Sequence, residues 1–157
     1  VQVTITGDKK KLWLGESKLY KTGDAGVRDL AEDIKKHVNA DYLRREFSLI
    51  SKKLPESIPE IEYWRNLMDE HQKLDVIFSN IVIPMVCTYN SDLFKNHCEE
   101  SNKYFEDFIS ECTALCKTFD KLKGNVSTEV ILMLLPVQNK DMLNTELDKR
   151  LKLMQQI

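Results

Sequence analysis

The chain has 157 residues, 42% hydrophobic and 31% charged, an ordinary balance for a globular or helical protein of one compact domain or two small ones. Its 23 Lys and Arg against 25 Asp and Glu leave a net charge of −2. The basic footprint of phosphate or anionic-membrane binding is absent, so no nucleic-acid and no membrane partner is expected.

Val1, Val3 and Ile5 alternate with Gln2, Thr4 and Thr6, the period of a half-buried strand. Gly7-Asp8 is turn chemistry, and Leu12-Trp13-Leu14 begins a second strand. Lys9-Lys10-Lys11, between them, reads as a solvated turn. Gly23 to Gly26 break the chain before a helix whose Val27, Leu30, Ala31 and Ile34 share one face, with Asp24 as its cap. Phe47 to Ile50 read as a short strand, Pro55 and Pro59 bracket a loop, and Leu74, Val76 and Phe78 alternate as a final strand. Hairpin, helix, strand, irregular stretch and strand is the order of a β-grasp.

From Asn90 the period becomes helical. Phe94, Cys98, Tyr104, Phe105, Phe108, Ile109, Cys112, Leu115, Cys116, Phe119 and Leu122 form an apolar stripe, with Gly124 interrupting or kinking the helix. Pro136 separates it from an amphipathic segment carrying Met142, Leu143, Leu147, Leu151 and Met154. The apolar run Val130 to Val137 contains this proline and is too short to span a bilayer. The expected fold is α+β: a ubiquitin-like β-grasp over 1–80, then an antiparallel helical hairpin or bundle over 81–157.

The first half resembles ubiquitin in spacing. Val27, Leu30 and Ile34, then Phe47 and Leu54, fit its buried positions without a gap, and Met68, Leu74 and Val76 follow after about three extra residues. The recognition face falls on Ser48 and Ile77, with serine where the apolar centre of the patch would be. Val27-Arg28-Asp29-Leu30-Ala31, Leu135-Pro136 and Leu147 to Lys152 resemble the BAG-family co-chaperones. That resemblance implies a partner, the ATPase domain of the seventy-kilodalton heat-shock chaperone, whose nucleotide exchange the chain would promote. It implies contacts at Lys149, Arg150 and Gln156, and a third helix cut away after Ile157. Proteasome or ubiquitin receptors are further partners it implies for the ubiquitin-like face. The alternative is a non-catalytic scaffold whose helical arm forms a homodimer.

No phosphate loop, nucleophile elbow or His-Glu-x-x-His is present, so no catalytic residue is expected. His37, His71 and His97 read as solvated, and the adjacent acids Glu99-Glu100 and Glu106-Asp107 do not face each other on a helix. Cys87, Cys98, Cys112 and Cys116, with no signal-peptide pattern, point to a reducing compartment, cytoplasmic or also nuclear. Cys112 and Cys116 share a helix face and read as buried free thiols rather than a metal pair. No metal and no cofactor are expected.

Overall fold

The computed structural model describes residues 2–96 and 102–155. The fold is α+β, with a mixed sheet. Its strands are β1 (Gln2–Thr6), β2 (Lys9–Trp13), β3 (Glu16–Tyr20), β4 (Ile81–Asn90) and β5 (Glu129–Val137). The helices are α1 (Gly23–His37), α2 (Ala40–Ser51), α3 (Ile61–Leu67), α4 (Leu74–Asn80), α5 (Leu93–Asn96), α6 (Asn102–Lys123) and α7 (Lys140–Met154). The chain divides into a unit of residues 1–16, 31–85 and 123–131 and a unit of residues 17–30, 86–122 and 132–157.

In the first unit β1 and β2 form a hairpin as expected, register Val3↔Leu12 and Thr6↔Lys9, but Lys9 to Lys11 belong to β2 and not to the turn. Gly7, at φ 58°, takes the first central position of its two-residue turn, where a side chain would be strained. Trp13 Nε1 donates across the pair to Thr4 Oγ1 at 2.9 Å, and Leu12 is fully buried. β2 then runs parallel to β4, pairing Leu12 with Ile81 and Trp13 with Val82. Leu14 N adds a last bond to Val82 O at 3.0 Å, two residues before Pro84, which has no N–H to give a ladder. Gly15 passes over the Pro84 ring, so close that a Cβ there would lie 3.0 Å from Cγ. The chain then enters β3, which also pairs with β4.

Two expected strands are helices. Phe47 to Ile50 lie inside α2, where Leu43 and Phe47 recur at helical spacing and are both buried. Asn39 caps α2, its Oδ1 accepting from Asp41 N at 3.1 Å and Tyr42 N at 3.2 Å. Leu74 to Phe78 lie inside α4, with Ile77 fully buried. Without strands at these places the ubiquitin-like spacing loses its meaning, because residues counted as sheet partners stand on helices. Trp64 of α3, also fully buried, satisfies its indole by donating to Pro59 O at 3.0 Å.

α1 forms as expected, with Val27, Leu30, Ala31 and Ile34 fully buried. Its start is held by Thr22, whose Oγ1 accepts from Ala25 N at 3.3 Å, while Asp24 pairs with Arg28 one turn on at 2.6 Å. In the second unit Gly26 lets α1 lie against Tyr20 and the Cys87 sulfur with no room for a Cβ. The region after 81 is not all helical: β4 and β5 lie in it, and Pro136 sits inside β5 rather than in a turn between helices. Gly124, at φ 66°, follows the end of α6 instead of kinking it. α7 is the last helix expected, but none of its residues is buried. No helix among the described residues is long and apolar enough to cross a membrane.

Candidate functional site

Strand β3 reverses the usual strand pattern. Glu16, Lys18 and Tyr20 occupy its half-buried face, while Ser17 and Leu19 are exposed. Charged groups turned toward protein need partners. In the first unit Glu16 Oε2 lies 2.9 Å from His37 Nε2, and both side chains are about three-quarters covered. In the second unit Lys18 Nζ lies 3.3 Å from Asp29 Oδ2, and Tyr20 OH donates to that same oxygen. α1 supplies these partners because Asp29, Asp33 and His37 recur every four residues and so share a helix face. Asp33 is buried and pairs with Lys36 at 2.7 Å.

A cleft of about 200 Å³ adjoins His37 in the first unit, with Leu14, Leu43, Ile50 and Ile83 as its apolar lining and Tyr42 and Glu46 among its polar groups. The rings of His37 and Tyr42 stand 5.3 Å apart. Burial holds the Tyr42 hydroxyl above its ordinary pKa, reinforced by the charges of Glu46 and Glu16.

A second polar cluster lies in the other unit. Glu111 of α6 accepts from Tyr89 OH at 2.7 Å and from Ser91 Oγ at 2.9 Å, and Ser91 Oγ accepts in turn from Leu93 N at 3.2 Å. Burial first, then the bond to Glu111, pushes the Tyr89 hydroxyl far up. This network ties α6 to the end of β4. Cys87 is fully buried and its thiol is pushed up to about 11 by burial alone. Cys112 is half-buried and Cys116 exposed, so the expectation of buried thiols fails for Cys116. Among the described residues no group of three or more His, Cys, Asp and Glu could hold a metal ion.

The residues singled out from the sequence do not come together. Ile77 is fully buried, so it presents no face with the exposed Ser48. Lys149 and Arg150 are exposed on α7, Lys149 paired with Glu146 at 2.6 Å. Gln156, like His97, Cys98, Glu99 and Glu100, lies outside the described residues. Glu16, Lys18 and Tyr20 were missed because they fall between Leu14 and Gly23, a stretch that the apolar periodicity assigned to no element. Their signal was an alternation of titratable groups directly after Gly15.

The model of the family described as HamA matches residues 1–151. The chain belongs to the HamA family. HamA is unrelated to the BAG co-chaperones, so membership overturns the resemblance read from Leu135-Pro136 and Leu147 to Lys152, and the chaperone-exchange function with it. The physical reason agrees: Leu135 and Pro136 belong to a strand, where they cannot join two helices. No curated protein and no solved structure matches the chain. As a HamA chain it matches its family across both units, β3 and α1 included.

Proposed function

We propose that this chain hydrolyses phosphate esters, with Glu16 and Lys18 of β3 at the reacting centre. The observation that carries the reading is a carboxylate and an ammonium, two residues apart, on the same half-buried face of one strand. Hydrolysis at phosphorus asks little covalent chemistry of a protein. It asks for an oriented water and for compensation of charge on the phosphoryl oxygens.

Glu16 orients the water and accepts its proton as the new P–O bond forms and the ester P–O bond breaks, the departing oxygen taking its proton from solvent; the bond to His37 fixes the direction of the carboxylate. Lys18 compensates the phosphoryl charge. Asp29 holds the ammonium, and Tyr20 holds Asp29, so the Lys18 side chain is positioned before substrate arrives. Ser17 points to the other side of the strand, and the Cys87 thiol is buried and protonated, so water is the nucleophile. The reading replaces the sequence-based expectation of a non-catalytic chain, which rested on the absence of motifs of other reaction classes.

The test is incubation of the purified chain with a bis(aryl) phosphodiester and with single-stranded and duplex polynucleotides, in magnesium, manganese or chelator. Product release is expected. Glu16→Gln and Lys18→Met are each expected to slow it roughly 10²–10⁴-fold while melting at the wild-type temperature. A wild-type chain inert on every substrate, or a variant with undiminished turnover, refutes the proposal.

A further inference from the structure

A cleft of about 580 Å³ opens between α2 and the end of α3 in the first unit. From α2 come Arg44, Arg45 and Ser48, and Lys52 at its C-cap continues their helical spacing along one side; α3 contributes Arg65. Two of these cations are already engaged. Arg65 pairs with Glu62 at 2.9 Å and with Glu56, and Arg44 Nη2 donates to Gln72 O at 3.3 Å. Arg45 and Lys52 form no ion pair among the described residues. The Nη1 of Arg44 is buried without any acceptor.

A buried guanidinium nitrogen with no partner is rare, because its water has been removed and nothing replaces it. Here it belongs to a side chain lining a cleft whose other groups on and just after α2 are two cations, Arg45 and Lys52, and the Ser48 hydroxyl, with Ser51 Oγ donating to Ser48 O at 3.4 Å. From this arrangement we infer that the cleft is a binding site for a phosphate group. A planar fork takes two oxygens of one anion side by side, and a phosphate has further oxygens for an ammonium and a hydroxyl. A carboxylate would satisfy the fork alone. The acids Asp69 and Glu70 line the far side; Asp69 Oδ1 accepts from His71 N at 2.8 Å, and Glu70 lies 3.6 Å from His71 Nε2. They confine the anion to the α2 side. The site is distinct from β3 and stands on its own observations, independent of the hydrolytic reading.

The phosphate has two sources, a small free anion or a polynucleotide backbone, and two arms separate them. Calorimetric titration of the whole chain with inorganic pyrophosphate reads the first. Fluorescence anisotropy of a labelled oligothymidylate across a salt series reads the second. Binding in at least one arm is expected, weakened about tenfold or more by Arg44→Met and by the paired change Arg45→Ala with Lys52→Ala. The paired change touches exposed residues, so it remains informative if Arg44→Met fails to fold. If the backbone is the ligand, it also flattens the slope of log affinity against log salt by about 1.4, two contacts at roughly 0.7 each. No binding in either arm, or wild-type affinity in the paired variant, overturns the site. Because the readout is binding and not turnover, failure of the hydrolysis assay leaves the result intact.

Discussion

Cys87 and Cys116 show what burial does to one side chain. Cys87 has no exposed surface and its thiol is pushed up from 9.0 to about 11, because a thiolate there would lose its water with no charge in compensation. At pH 8 about one molecule in a thousand carries the thiolate, the form that reacts. Iodoacetamide at that pH is therefore expected to label Cys116 readily and to spare Cys87 until the chain unfolds, read by peptide mass spectrometry. Equal labelling of both in the folded chain contradicts the burial. The same shift sets a sign for stability. The folded thiol keeps its proton longer than the unfolded one, so its contribution is whole below pH 9 and is lost as pH rises toward 11. Tyr89, shifted in the same direction, adds to the loss above its ordinary pKa of 10. The midpoint in urea should fall steadily across pH 9–11. From sequence Cys112 and Cys116 looked alike, both buried; a stripe shows which residues share a helix face, not how much of that face is covered.

At the scale of elements, α4 separates the fold found from the fold expected. A fully buried Ile77 makes Ile77→Ala a cavity-forming change, costing about 2–5 kcal/mol in chemical denaturation, whereas Ser48→Ala on exposed α2 should stay within about 0.5 kcal/mol. On a shared ubiquitin-like face both would be nearly silent. Asn39→Ala should cost about 1 kcal/mol, because two amides of α2 lose their acceptor. The hairpin and α1 were legible because turn chemistry and a full helical period lay in plain view. α2 and α4 were misread from windows of four or five residues, in which alternation and a single helical turn look the same. β4 was hidden for a different reason. Seven of its ten residues are buried, so both its faces are covered and it shows no alternation. β3 was hidden because its covered face carries Glu16, Lys18 and Tyr20 rather than aliphatic residues. Patterns of apolar residues miss a strand whose covered side carries charged and polar groups in place of aliphatic ones.

Across the whole molecule, burial is divided unevenly among the elements, and local stability should follow it. α1 buries Val27, Leu30, Ala31 and Ile34 completely, and β4 buries Ile81, Met85 and Cys87 completely. α7 buries nothing: Met142, Leu147, Leu151, Leu153 and Met154 are all more than half exposed. Its order rests on the Asn139 cap, whose Oδ1 accepts from Asp141 N at 2.9 Å, and on local ion pairs such as Lys152 with Asp148 at 2.7 Å. Such pairs on an exposed helix contribute about 0.3–0.5 kcal/mol each, too little to hold fifteen residues helical without packing. Native-state hydrogen exchange should therefore place the amides of α1 and β4 in the slowest class, opening only with the whole fold. The amides of α7 should exchange through local fraying, at a rate nearly independent of added denaturant at low concentration. Protection of α7 equal to that of α1 would mean that its apolar side chains are covered in solution. A concentration series then separates the two covers available to it: protection that rises with protein concentration requires a second copy of the chain, and protection that does not requires another part of the same molecule.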